Sequence, residues 1–306
     1  MPSLRTLPTD VRVFAKYHLK RRVYDHPERE ADLGIVDLGF DLDAFVDAMR
    51  SLGDRYDVRT LAEVAYHKRS HPMVCAASKA AHARQRVVIL GGVHGNEHAG
   101  ILAVPEILRR IDEPAVRLVA VAPANPVGAA ELSRYNAEGF DINRDFMRFE
   151  TPEGRAIRQV FEREKPDFVV SLHEGPQDGA FMFLNRFVQP TLAQHLATAV
   201  EAGGTQLAAR DYFGRALRPP GIAPMTRPLR FLQTLWGMTL RMKSTGIWCD
   251  DRGIPEITLE SSWRGTSREA RVRPHVDLVC ALVGELARAG GNRHADRIGQ
   301  RSRHIV

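Results

Sequence analysis

His94-Gly-Asn-Glu97 sets an imidazole and a carboxylate three residues apart, just after the glycine pair Gly91-Gly92. Both are metal-ligand types. Such a pair is common by chance, and its meaning depends on partners elsewhere in the chain. Downstream, His173 follows the apolar run Phe168-Val-Val-Ser-Leu172, and Glu260 closes the run Ile257-Thr-Leu259. Two histidines and one carboxylate with an open fourth position form a catalytic zinc set. Zinc held this way acidifies a bound water and polarises a carbonyl. A separate carboxylate must then take the water's proton and return it to the leaving amine. Glu260 is the candidate, because a glutamate ending an apolar strand is costly to bury without a partner.

The cations extend the set. Arg134 could stabilise the oxyanion of a tetrahedral intermediate. Arg144, with Asn143, could grip a substrate carboxylate through a bidentate fork. Together these groups describe an amidase that cuts next to a carboxylate.

Elements must bring these residues together. Val87 to Leu90 reads as a buried strand that runs into a glycine hinge and a polar loop, followed by a helix from Ala99 to Arg110. Further strands are expected at 58–67, 73–77, 117–123, 167–172 and 254–260. Helices are expected at 42–52, 151–164, 192–202 and 272–289. Strands alternating with helices indicate an α/β fold with a mixed, mainly parallel twisted sheet and helices on both faces. In such sheets ligands bind beyond the carboxyl ends of the strands, where His94, Glu97, His173 and Glu260 all fall. Residues 1–40 read as a polar, basic N-terminal extension, 41–289 as the catalytic domain, and 290–306 as a basic disordered tail.

Composition narrows the function classes. The 306 residues contain no apolar run near the ~20 needed to span a membrane. Cys75, Cys249 and Cys280 are widely spaced, which argues against a disulfide framework and fits a cytoplasmic interior. The first residues lack the apolar stretch of a signal peptide. Net charge is +6, but the basic residues are scattered and not interleaved with aromatics, so neither nucleic acid nor membrane is an expected partner.

Other readings of single residues compete. His94-x-x-Glu97-His98 also fits an inverted zinc-protease pattern on a helix, but Gly91, Gly92, Gly95 and Asn96 suit a helix poorly. His98 is expected to pack, Glu174 to form a salt bridge or cap, and Asp141 to orient the Asn143-Arg144 turn. The arginine-rich segment 205–245 is either a solvated face or a rim for acidic substrates.

His94-Gly-Asn-Glu97, Asn125-Pro126 with Arg134, Gly139-Phe-Asp-Ile-Asn-Arg-Asp-Phe146, Ser171-Leu-His173 and Thr258-Leu-Glu260, in that order, resemble the zinc carboxypeptidase (funnelin) superfamily. That superfamily includes the aspartoacylase and succinylglutamate desuccinylase deacylases, and the resemblance covers roughly residues 40–285. It implies one zinc per chain on His94, Glu97 and His173, and a three-layer fold. It also implies Arg134 at the scissile carbonyl, Asn143 and Arg144 on the substrate carboxylate, and Glu260 as general base. The substrate is then a small peptide, or alternatively an N-acyl amino acid, with a free carboxylate; a catalytically dead binding protein is the remaining alternative. The chain departs from the peptidases in one respect: they carry a tyrosine on a loop shortly before the base, and here no tyrosine follows Tyr212. Trp248 stands in that gap and has no phenolic proton to give.

Overall fold

β3 (Gln85–Gly91) alternates between two cores: Val87 and Ile89 pack on one face of the sheet, Val88 and Leu90 on the other, all fully buried. A strand buried on both faces belongs in the middle of a sheet covered by helices on each side. The computed structural model, which describes residues 35, 37–80, 83–264 and 267–302, has that arrangement. Eight strands form one sheet in the order β1-β2-β4-β3-β5-β8-β6-β7. The others are β1 (Tyr56–Tyr66), β2 (Arg69–Ser78), β4 (Val116–Ala122), β5 (Phe168–Gly175), β6 (Phe181–Leu184), β7 (Ile222–Pro224) and β8 (Glu256–Ser262). The central β4, β3, β5 and β8 run parallel, while β1–β2, β2–β4 and β6–β8 are antiparallel.

On one face lie α1 (Leu42–Arg50), α2 (His98–Arg110), α5 (Pro190–Ala202) and α8 (Arg268–Ser302). On the other lie α4 (Pro152–Glu164) and α7 (Thr245–Asp250). Caps explain where several begin. The carboxylate of Asp41 accepts from Ala44 N, and the hydroxyl of Thr151 accepts from Gly154 N ahead of Pro152. α3 (Pro126–Ala130) begins at the Asn125-Pro126 turn, where the Asn125 side chain accepts from Gly128 N. α6 (Arg227–Leu240) occupies the arginine-rich segment, for which the sequence suggested no regular structure.

β3 leads to β4 on one side, and the chain later returns to β5 on the other side of β3. That reversal opens a crevice between the carboxyl ends of β3 and β5. Register brings the third strand level with them: Gly91 pairs with Leu172, and His173 with Glu260.

Most of the expected basic extension over 1–40 lies outside the described residues. At the other end, α8 continues to Ser302, past the expected stop at Ala289. Gly290-Gly291 reads as a break, yet glycine lowers helix propensity by only about 1 kcal/mol per residue, and the backbone beyond it is helical rather than irregular.

Candidate metal centre and cavity

The loop after β3 is shaped by glycine. Gly92 has φ +72, open to glycine at little cost, and a Cβ on Gly95 would stand 2.1 Å from the Gly128 carbonyl carbon. The loop therefore lies tight against α3, and Asn96 N donates to Ser133 O at 3.0 Å. This packing turns His94 and Glu97 toward β5. His98 begins α2, so His94 and Glu97 sit in the loop and the inverted-protease placement on a helix does not apply. The ring of His98 packs on Phe40 at 4.9 Å, and its Nε2 lies 3.0 Å from Ala129 O, the packing role expected of it.

β5 extends three residues past the expected strand end, carrying His173 and Glu174 on opposite faces of the sheet. His173 Nδ1 lies 2.7 Å from Glu97 Oε2, His94 Nδ1 lies 2.7 Å from Glu97 Oε1, and the two Nδ1 atoms are 3.0 Å apart. Glu174 points away. Arg271 Nε donates to its Oε1 at 2.7 Å and Arg271 Nη2 to its Oε2 at 3.0 Å, both side chains being wholly buried. Ala99 N donates to the same carboxylate at 2.9 Å, so Glu174 is both salt bridge and cap.

His94, Glu97 and His173 fit a metal ion. All three are buried, and their donor atoms lie within 4.8 Å of one another. If each Nδ1 donated a proton to its own Glu97 oxygen, two N–H groups would face each other at 3.0 Å, a repulsion that one shared cation removes. Tetrahedral zinc with bonds of about 2.0–2.1 Å separates its ligands by about 3.3 Å, about 0.3 Å more than the nitrogen–nitrogen distance and about 0.6 Å more than the nitrogen–carboxylate distances found here. His94 turns its far nitrogen to Asp141, with Nε2 to Oδ1 at 3.3 Å, the kind of carboxylate contact that fixes a ligating ring. Among the described residues His173 Nε2 is buried with no hydrogen-bond partner.

Charge around the centre is mixed. Burial alone would raise Glu97, but the two imidazoles outweigh it and hold the carboxyl far below the usual range. Burial, and then the negative charge of Glu97, push Glu260 well above it, against the opposing pull of Arg134. Arg134 Nη1 stands 3.7 Å from Glu97 Oε1, and its Nε and Nη2 donate to Asp141 Oδ2 at 3.2 and 3.0 Å. Asp141 also accepts from Asn143 N at 2.9 Å, so it orients the turn as expected and braces His94 and Arg134 as well. Asn143 Oδ1 accepts from Thr245 N at 3.1 Å, which docks this turn onto the start of α7.

A cavity of about 600 Å³ opens over the centre, and His94, Glu97, Arg134, Asn143, Arg144 and Glu260 all line it. Tyr212 lines it too, a residue that spacing in the sequence had set aside. Its ring packs edge-on against Phe181 and Phe183 at 5.7 and 5.6 Å. Burial, then Glu260, push its hydroxyl well above the ordinary tyrosine range. The phenol thus reaches the site from a loop far ahead of the expected position. Trp248 instead stacks on Phe161 at 4.6 Å in the core beneath.

Of the described cations in 205–245, only Lys243 lines the cavity, and its ammonium sits 2.5 Å from Asp251. Arg215 pairs with Asp211, and Arg230 with Asp250.

Residues 83–209 match the succinylglutamate desuccinylase/aspartoacylase catalytic domain. Carboxypeptidase 2 of Trichophyton tonsurans is 36% identical over 105 residues, 31% of this chain. The chain spans only 20% of that relative's length. Among solved structures, a candidate metallopeptidase from Shewanella denitrificans OS217 aligns with a TM-score of 0.62 at 18% identity, over 81% of this chain and 91% of its own. Over 83–209 the chain is similar to that catalytic-domain family, and as a whole it has the fold of these solved metallopeptidases. A metallo-carboxypeptidase from Pseudomonas aeruginosa, in complex with (2-guanidinoethylmercapto)succinic acid, shares the fold with a TM-score of 0.54 at 18% identity, over 81% of this chain and 70% of its own. The matched segment 83–209 holds His94, Glu97, Arg134, Asn143, Arg144 and His173 and ends before Glu260. Glu260 joins them through its strand pairing with His173.

Proposed function

We propose that the protein is a zinc-dependent hydrolase of metallocarboxypeptidase type that cleaves an amide bond adjacent to a substrate carboxylate. The observation that carries this reading is the convergence of His94 Nδ1, His173 Nδ1 and both Glu97 oxygens beside Glu260 and Arg134 in one cavity.

His94, Glu97 and His173 would hold the metal, and bound zinc would supply Lewis-acid polarisation, acidified water and positive charge beside Glu260. Arg144 and the Asn143 side chain bind the substrate carboxylate and orient the amide. Arg134, braced by Asp141, directs its guanidinium at the carbonyl oxygen where negative charge develops. Glu260 removes the proton from the attacking water and delivers it to the leaving nitrogen. Tyr212 caps the cavity opposite Glu260 and presents a hydroxyl donor to the bound substrate.

The runner-up is an N-acyl-amino-acid deacylase, favoured by the family match over 83–209. A doubly acidic substrate of that kind would gain from a second carboxylate clamp. Among the described cations of 205–245 only Lys243 faces the cavity, already on Asp251, which favours the peptidase reading.

Purified protein should bind about one zinc per chain. It should cleave peptides with a free carboxyl terminus faster than amidated peptides or N-acyl amino acids. Glu260→Gln should keep the metal and lose about 10²–10⁴-fold in kcat. Protein with no affinity for zinc, or a Glu260→Gln variant as active as wild type, would refute the assignment.

A further inference from the structure

β5 and β6 lie on either side of β8. Glu260 pairs with His173 on one flank and with Phe181 on the other. The chain between those flanks, residues 176–180, therefore crosses the carboxyl end of β8 just beyond Glu260. Gln177 sits in that crossing and is 7% exposed.

Its side chain turns back onto the strand it crosses. Gln177 Nε2 donates to Glu260 O and Ser261 O, both at 3.2 Å, and to Gly179 O at 3.1 Å. Three carbonyls around one end of the amide identify that end as the nitrogen. Two of these bonds hold successive peptide units of β8, so the backbone leaving Glu260 is fixed in orientation. The third ties the crossing to itself. Gly175 makes room for this fold-back: a Cβ there would stand 2.2 Å from Gln177 Oε1 and 3.2 Å from Tyr212 Cδ1. Trp263 N donates to Gly175 O at 3.0 Å and closes the same corner.

Two features separate this amide from loop packing. Among the described residues nothing hydrogen-bonds the Glu260 carboxylate, and Glu97, Arg134, Glu174 and Glu256 act on it through space. A carboxylate that must take up and release a proton is left free in this way, and its aim is set by the main chain that carries it. The other feature is Gln177 Oε1, which is buried without a partner among the described residues. An unpaired buried acceptor destabilises the fold, and an unbranched apolar side chain of the same length would avoid it. What the nitrogen holds accounts for the amide.

We propose that Gln177 is a positioning residue for Glu260: its amide clamps the end of β8 so that the carboxylate stays aimed at the metal centre. The role of Glu260 as base rests on the hydrolase reading above; the clamp on its backbone does not.

The test uses zinc-loaded full-length protein and a peptide with a free carboxyl terminus. Gln177→Met keeps the side-chain length and removes the donor. Its kcat should fall about 10- to 100-fold, the loss expected of a base displaced by about 1 Å, with KM and zinc affinity changed less than about twofold. In a Glu260→Gln background the same substitution should cost nothing further, because groups that act as one unit are not additive. A merely structural role would cost the same in both backgrounds. Gln177→Glu, the same shape with no donor when ionised, should give the same split and serves if the methionine variant folds poorly. Crystal structures of the zinc-loaded wild type and variant should show the Glu260 carboxylate displaced by about 1 Å. That displacement in a protein that cleaves no amide would sink the hydrolase reading and leave the clamp. A Glu260 carboxylate that stays in place, an active wild type whose kcat the substitution leaves unchanged, loss of zinc, or equal losses in both backgrounds would each overturn the proposal.

Discussion

Glu153 sits in the first turn of α4 with no exposed surface, on the side of the sheet away from α2 and α8. Asn136 Nδ2 donates to its Oε2 at 3.0 Å, and its Oε1 is buried without a partner among the described residues. Burial raises this carboxyl from 4.5 to about 7, the Asn136 bond opposing only in part. In the unfolded chain the group has its ordinary pKa. Below that value both states are protonated and folding is unaffected. As pH rises from about 4.5 through about 7, the unfolded state ionises freely while the folded state resists, so stability is lost across that window. At about 1.36 kcal/mol per pKa unit, the full loss above neutrality is about 3 kcal/mol. Glu153→Gln keeps a carbonyl oxygen for Asn136 and puts an amide where the carboxyl proton would sit. The variant should match wild type in denaturant unfolding at about pH 4.5 and be about 3 kcal/mol more stable at about pH 8.5. An equal stability difference at both pH values would refute the claim that Glu153 takes up a proton in the folded state.

Three further variants probe the site and its supports. Arg271→Met leaves Glu174 charged and unpaired in the core and should destabilise by about 3–5 kcal/mol; thermal or chemical denaturation equal to wild type would contradict it. The same variant should weaken zinc affinity in chelator competition, since Glu174 follows a ligand directly. Tyr212→Phe should retain zinc and lower kcat about tenfold, one hydrogen bond to a charged group; unchanged kcat would remove the phenol from the reaction. His173→Ala should lose tight zinc binding by direct metal analysis, and stoichiometric zinc in that variant would show that the ligand set is wrong.

The convergence of His94, Glu97, His173 and Glu260 was readable because these groups follow strands whose apolar runs are long and continuous. Val87–Leu90 and Phe168–Leu172 announce buried parallel strands, and the loops after such strands meet at one edge whatever the intervening detail. Tyr212 was missed for the opposite reason. It comes from a loop held by Asp211, whose carboxylate accepts from the Phe213 and Arg215 backbone amides, and no periodicity reports where a loop of that kind ends. β6 was also missed. Phe181–Leu184 is short, and its place is decided by antiparallel pairing of Phe181 with Glu260, a contact between distant parts of the chain. Glu256 begins β8 and lines the cavity with Glu260, but strand alternation alone does not report that a cavity lies along that side.

Asp141 joins three things at once: the Arg134 guanidinium, the far nitrogen of His94 and the backbone of Asn143. It works as a shared datum. If thermal motion shifts the 134–145 loop, the cation and the imidazole ring are carried together, and their mutual spacing survives as common-mode displacement. What changes instead is their offset from Glu260, which is fixed separately by the sheet. The tolerances of the site thus divide into a tight internal gauge on one side and a single adjustable gap on the other. That gap is where a substrate carbonyl has to fit.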